Sequence, residues 1–206
     1  NRSTCGDRVR EAVALIEKKI ATPDGAKQVK ALFGASTITL TEDFLYTVAD
    51  ALAAAVQYGN HQRFCTTILG SGDLITNYGR AAVAALSAIG ATAFDISMQV
   101  AEDLKVDPDL NFRQWMWQSC SEFGWFQVAN KTSEGTSRSS AIDMAYHDRV
   151  CERLFGSVAT VKTELNDTWY LNLFDPATSK IIFTNGGNDP WQRLSVTDKS
   201  DGRNPA

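Results

Sequence analysis

The chain is short of the features that announce most chemistry. Its four cysteines, Cys5, Cys65, Cys120 and Cys151, contain no Cys-x-x-Cys pair, which argues against a zinc site. No glycine-rich phosphate loop and no Gly-x-Ser-x-Gly elbow occur, so neither a nucleotide site nor a hydrolase nucleophile can be assigned within these residues. Basic residues (20) are outnumbered by acidic ones (24) and the net charge is -4. That balance, with no run of like charge, argues against a nucleic-acid partner, which calls for a basic face. No apolar run reaches the roughly 18 residues of a membrane span. The alanine-rich stretch 81–94 is interrupted by Ser87, Gly90 and Thr92 and reads as a buried helix. There is neither an initiating Met nor an apolar leader at Asn1, and the chain reads as a mature or internal fragment.

What is present is enough apolar material, 44% of 206 residues, for one large domain or two small ones. Four cysteines allow three pairings, and four buried free thiols remain the alternative. Sequons occur at Asn1, Asn130 and Asn166. Together with an even cysteine count they favour a secreted or lysosomal (vacuolar) glycoprotein with disulfides.

The first hundred residues read as helices. Ser3 or Thr4 can cap a helix from near Gly6, with Val9, Ala12, Val13, Ile16 and Ile20 in phase. Thr22-Pro23-Asp24-Gly25 reads as a break, followed by a short helix 26–33. Thr39-Leu40-Thr41-Glu42 has the form of a capping box. The helix after it carries Phe44, Leu45, Val48, Leu52, Ala55 and Val56 on one face and ends near Gly59. A loop through Cys65 and Gly70-Ser71-Gly72 then leads to a helix from about Arg80, and a short helix spans 96–104. His61 reads as a surface or loop residue.

After Phe112 the character changes. Trp115, Trp117, Trp125 and Phe126 crowd together, a density that suits core packing or the wall of an apolar pocket. Glu122, amid them, must be paired or solvated; it either orients a substrate or braces the loop. Residues 131–140 read as a surface loop and 141–155 as a helix containing His147 and Cys151. Strands are expected at 158–161, 169–174 and 181–183. The last of these leads into Thr184-Asn185-Gly186-Gly187-Asn188-Asp189-Pro190-Trp191. Here a glycine-rich turn presents a carboxylate, and Pro190 restricts the geometry of Asp189. An α/β-hydrolase holds the acid of its triad on such a strand and turn; a solvated Asp on an ordinary turn is the plainer reading.

Two segments together carry a resemblance: Trp115-Met116-Trp117-Gln118-Ser119-Cys120-Ser121-Glu122-Phe123-Gly124-Trp125 and, about 70 residues on, Asn185-Gly186 with Asp189-Pro190-Trp191. They resemble the S28 family of serine peptidases, which includes lysosomal Pro-Xaa carboxypeptidase, dipeptidyl peptidase II and thymus-specific serine protease. The pattern around Cys120 and Glu122 is most like the thymus-specific branch. Trp169-Tyr170-Leu171-Asn172 departs from the Tyr-Gly-Gly often found there in the family.

The resemblance implies part of an α/β-hydrolase domain plus an inserted all-helical domain, the chain being mostly α with a few strands near its C-terminal end. Residues 1–110 would be the helical cap, and 111–206 the hydrolase portion with the acid loop. It implies Asp189 as triad acid, Trp191 and Trp125 as walls of a proline pocket, and the pairs Cys5–Cys65 and Cys120–Cys151. Both histidines precede Asp189, whereas the family order is Ser, Asp, His. The nucleophile and base are therefore expected outside these residues, and the chain alone is expected to be inactive. Its partners would be a peptide substrate, the remainder of the same enzyme with the Ser and His, and possibly a second copy of itself; no cofactor or metal is expected. The rival reading is a non-catalytic helical binding module, a relative lacking the nucleophile.

Overall fold

The structure, a computed structural model, describes residues 4–105, 111–130, 135–156, 168, 172–173, 175 and 177–196. Its first helix, α1 (Cys5–Ile20), opens on a full capping box: Thr4 Oγ1 accepts from the Asp7 amide, and the Asp7 carboxylate accepts from the Thr4 amide. Val9, Ala12, Val13 and Ile16 are buried along one face, as their spacing predicts.

The expected break at 22–25 is instead the start of α2 (Pro23–Leu32). Thr22 caps it by accepting from the Gly25 amide at 3.2 Å, and proline suits a first turn because its missing N–H would have no partner there. Gly25 is required by crowding, since a Cβ at this position would overlap the Lys19 carbonyl oxygen. The next helix, α3 (Thr41–Gln57), is found as expected, but the capping box is not formed. Leu40 is the N-cap and supplies no side-chain bond. Instead Gln99 reaches over and its Oε1 accepts from the amides of Thr39 (2.6 Å) and Leu40 (3.4 Å). A distant side chain has taken the place of the local signal.

Gly59, at φ 77°, ends α3, and α4 (His61–Ile68) follows where a loop was expected. It is too short to show more than Phe64 and Ile68 as its buried positions, which is why periodicity missed it. α5 (Leu74–Ser87) starts at Leu74, not Arg80, because Asp73 accepts from the Thr76 amide at 2.8 Å and caps it. Gly79 allows α5 to cross α2 closely: a Cβ there would lie 2.7 Å from the Leu32 carbonyl oxygen. The expected helix at 96–104 is a single 3-10 turn, Met98–Glu102.

Aromatic rings fill the space between these helices. Phe33 meets Phe44 and Tyr78 edge-on at 5.5 Å, and Phe64 meets Tyr78 at 5.4 Å. The buried Tyr78 hydroxyl donates to the Val48 carbonyl at 3.0 Å, which removes the cost of an unpaired polar group in the core.

α6 (Phe112–Gln118) runs into a π-helical turn, Ser119–Phe123, that stops at Gly124 with φ 67°. α7 (Met144–Phe155) is capped by Asp143, which accepts from the Tyr146 amide at 2.9 Å. Met116, Cys120, Ile142, Tyr146, Val150 and Leu154 belong to the same buried cluster as the faces of α1–α5. The core thus continues across residue 110.

Buried polar groups tie the two parts together. Asp43 on α3 is fully buried; it accepts from the Tyr146 hydroxyl (2.9 Å) and from Arg153 (2.7 Å), and Arg153 also pairs with Glu102 at 3.1 Å. Burial raises the Asp43 carboxyl, against the opposing pull of Tyr146 and Arg153. Both disulfides implied by the resemblance are formed: Cys5–Cys65 joins α1 to α4, and Cys120–Cys151 joins the π-helical turn to α7.

No strand occurs among the described residues. Ile181–Phe183, expected as a strand, has no strand partner there, and Ile182 is 88% exposed. Strand propensity alone does not make a strand; a neighbouring ladder must satisfy its amides and cover one face. The expected strand at 158–161 and most of 169–174 lie outside the described residues.

Candidate active site

The acid turn is built from its own backbone. The Asp189 amide donates to the Gly186 carbonyl at 3.1 Å, and the Gln192 amide donates to the Asp189 carbonyl at 3.1 Å. Asp189 sits at φ -73°, ψ 121°, the extended geometry that Pro190 imposes. Its Oδ1 accepts from the Trp191 amide at 2.9 Å and caps the 3-10 turn Pro190–Leu194. Asn185 closes the loop from outside, its Nδ2 donating to the Val196 carbonyl at 2.9 Å. Asp189 is exposed, and its second oxygen, Oδ2, accepts no hydrogen bond among the described residues. One carboxylate oxygen fixes the orientation and the other is open to a further donor.

Trp191 packs its ring edge-on against Trp115 of α6 (6.3 Å, 88°), which fastens the acid turn to the helical part. Trp125, 42% exposed, has Phe123 as its ring neighbour at 5.5 Å. The two tryptophans expected in one pocket wall therefore have different ring partners. Glu122 lies in the π-helical turn, half-buried, and among the described residues makes no hydrogen bond or ion pair. Gly124, with its positive φ, separates it from Trp125.

Trp115 was not singled out by sequence as the partner of Trp191. The signal was in the Trp-x-Trp spacing: on a helix, residues two apart do not share a face. Trp115 accordingly meets Trp191 while Trp117 meets Phe155 at 5.2 Å.

Neither histidine joins Asp189. His61 is the first residue of α4 and half-buried, not a loop residue. His147, within the expected helix, is 1% exposed inside an aromatic box of Phe126, Tyr46 and Tyr146. Burial lowers its pKa to about 4. Asn130 is exposed; Asn166 and Asn1 lie outside the described residues. Among the described residues no helix is long and apolar enough to cross a membrane, and no group of three or more His, Cys, Asp or Glu could hold a metal ion.

The comparisons with known proteins bear on this arrangement. The sequence model of the serine carboxypeptidase S28 family matches residues 1–205. The chain is 34% identical over 174 residues to the probable serine protease EDA2 of Arabidopsis thaliana, covering 82% of this chain and 35% of that protein. It is 32% identical over 112 residues to the human thymus-specific serine protease, covering 51% and 21%. It is 29% identical over 90 residues to a probable extracellular serine carboxypeptidase of Arthroderma benhamiae, covering 43% and 12%. The chain thus spans about a third or less of the length of these relatives. No solved structure gives a significant match.

Proposed function

The chain belongs to the serine carboxypeptidase S28 family, and from that premise we propose that it is the acid-bearing part of a serine peptidase cleaving after proline or a small residue. The observation that carries this reading is Asp189: an exposed carboxylate, oriented by its own turn, with one oxygen open. In a hydrolase triad such an acid accepts the Nδ1–H of the histidine, holds the correct tautomer and stabilises the imidazolium formed as the serine attacks. These residues contain no Gly-x-Ser-x-Gly, and both histidines precede Asp189. The serine and histidine are therefore assigned to other segments of the same enzyme, and residues 1–206 alone are inactive.

In this reading the helices of residues 1–110 form a cap that limits which peptides enter, and 111–206 contribute to the hydrolase domain. Trp191 and Trp125 offer flat apolar faces to a prolyl ring. Glu122, without a partner among the described residues, is assigned the role of orienting the peptide. The two disulfides, the exposed Asn130 and the extracellular relative support secretion or a lysosomal or vacuolar site.

The test is labelling of the full-length protein with a fluorophosphonate, read by peptide mapping. The expected result is one modified serine outside these residues, protected by a prolyl peptide, and no label on residues 1–206 expressed alone. A full-length protein that takes no label overturns the peptidase reading and leaves a binding role.

A further inference from the structure

We propose that His147 and Tyr46 are positioning residues that hold the Trp125 wall of the substrate pocket, so that selectivity at that wall depends on two side chains that never touch substrate. This rests on the reading of Trp125 as a pocket wall.

The segment after Gly124 has no regular structure of its own among the described residues up to α7. It is held by named contacts instead. The Phe126 ring stacks on His147 at 4.6 Å and 20°. His147 Nε2 lies 3.2 Å from the Gln127 carbonyl oxygen; because a carbonyl only accepts, this nitrogen carries the proton and the tautomer is fixed. The Tyr46 hydroxyl donates to Gln127 Oε1 at 3.0 Å. The Ala129 amide donates to the Ile142 carbonyl at 2.8 Å. Gln127 is thus gripped at its backbone by α7 and at its side chain by α3.

Trp125 sits on an arc whose two ends are fastened to the same helix. Cys120 is bonded to Cys151, and Phe126 stacks on His147. His147 and Cys151 are four residues apart on α7, one turn along one face. The direction in which Trp125 presents its exposed ring is set by these two anchors.

A buried histidine is a poor choice if filling space were the only requirement. His147 Nδ1 is buried with no hydrogen-bond partner among the described residues, a defect that a phenylalanine in the same aromatic box would not have. What the imidazole adds is one directed donor to the Gln127 backbone. Tyr46 is likewise buried, stacked on Tyr146 and lying under the Arg138 guanidinium, which pairs with Asp50 at 2.9 Å. Its hydroxyl is shared between the Asp50 carboxylate and Gln127 Oε1, and is its polar link to the arc.

The experiment uses the full-length enzyme with His147→Phe, His147→Gln, Tyr46→Phe and Trp125→Ala. Three quantities are read: the ratio of kcat/KM for a prolyl over an alanyl peptide, hydrogen exchange of residues 126–130, and the rate of fluorophosphonate labelling. His147→Phe keeps the ring stack and loses the donor. It is expected to lower the ratio about ten-fold, mostly through KM of the prolyl peptide, as a misplaced binding group does. Exchange at 126–130 rises and the labelling rate is unchanged. His147→Gln, which can still donate, restores part of the ratio, and Tyr46→Phe gives the same change in smaller degree. A ratio within two-fold of wild type in His147→Phe overturns the proposal, whatever happens to the melting temperature. Trp125→Ala separates the two claims. If it leaves the ratio unchanged, the pocket reading is wrong and the selectivity role falls with it. If it lowers the ratio while His147→Phe does not, the pocket stands and the clamp alone is overturned. Should the protein show no peptidase activity, unchanged exchange at 126–130 in His147→Phe still overturns the clamp.

Discussion

Between Cys5 and Ser87 every aromatic ring but that of Tyr58 turns inward: Phe44, Phe64 and Tyr78 are all within 2% of complete burial. Between Trp115 and Trp191 Tyr146 is buried as well, but three tryptophans are not: Trp115, Trp117 and Trp125 are 38%, 49% and 42% exposed. The first region satisfies itself, whereas the second keeps apolar rings and a carboxylate at the surface. Exposed clusters of large apolar side chains mark surfaces that bind something. The difference teaches where to look for stability and where to look for chemistry, and substitutions in the two regions should separate the two.

The largest effect is expected at the acid turn. Asp189→Asn in the full-length enzyme should lower kcat on the order of ten-thousand-fold, because the imidazole loses its tautomer and its counter-charge. Its melting temperature should barely move, since Asp189 is exposed and asparagine is as good a cap for the following turn. Phe64→Ala in α4 should do the reverse. Removing a ring from a closed core costs about 3–5 kcal/mol, while activity per folded molecule stays at the wild-type level. A large loss of melting temperature in Asp189→Asn, or an altered KM in Phe64→Ala, would break the division between the regions.

The sequence carried the helical region well where the signals were local. Ser3 or Thr4 as cap and the spacing of Val9, Ala12, Val13 and Ile16 announced α1, and the apolar face of α3 was plain. It failed where a distant group did the work. Gln99 caps α3 from sixty residues away, so the capping-box pattern at 39–42 was true to form and idle. α4 was hidden by its brevity, and the start of α2 by a Pro-Asp-Gly motif that is ambiguous between a turn and a first helical turn. In the second region Asp189 and its proline were legible, because their geometry is set by neighbours in sequence. The pairing of Trp191 with Trp115, the π-helical turn and the burial of His147 were not. Each depends on what α6 and α7 pack against, and no local pattern encodes that.

The two disulfides sharpen the comparison, one lying in each region. Cys5–Cys65 spans 60 residues and Cys120–Cys151 spans 31. If chain entropy dominates, losing either costs about 2–4 kcal/mol, with the longer loop costing about 0.6 kcal/mol more. The expected outcome in paired Cys→Ala variants is therefore a slightly larger loss of stability for Cys5/Cys65 with KM unchanged. The Cys120/Cys151 variant should show a smaller loss of stability together with a raised KM for prolyl peptides, since that bond anchors one end of the Trp125 arc. Denaturant titration and steady-state kinetics on the same samples check both halves; a raised KM in the Cys5/Cys65 variant would erase the contrast.

The smallest and most specific prediction concerns pH. His147 is held neutral by burial, and its charge is further disfavoured by Arg138; the Gln127 carbonyl, Asp148 and Asp143 pull the other way but do not prevail. Its folded pKa of about 4 lies below the ordinary value near 6.5. Between those two pH values the unfolded chain binds the proton and the folded chain does not. The contribution to stability is therefore complete above about pH 6.5 and is lost as pH falls toward 4, by at most about 3 kcal/mol. Asp43 and Asp50 act in the opposite direction, because burial raises both carboxyls and favours the folded state as they protonate. The net curve mixes these groups, so the quantity to measure is the difference between wild type and His147→Phe. Urea unfolding at pH 4.5 and pH 7 should show wild type losing more stability than the variant over that interval. Equal losses would mean that the imidazole is not the group titrating, and that the acid sensitivity of the fold lies in groups other than His147 and the buried carboxyls of α3.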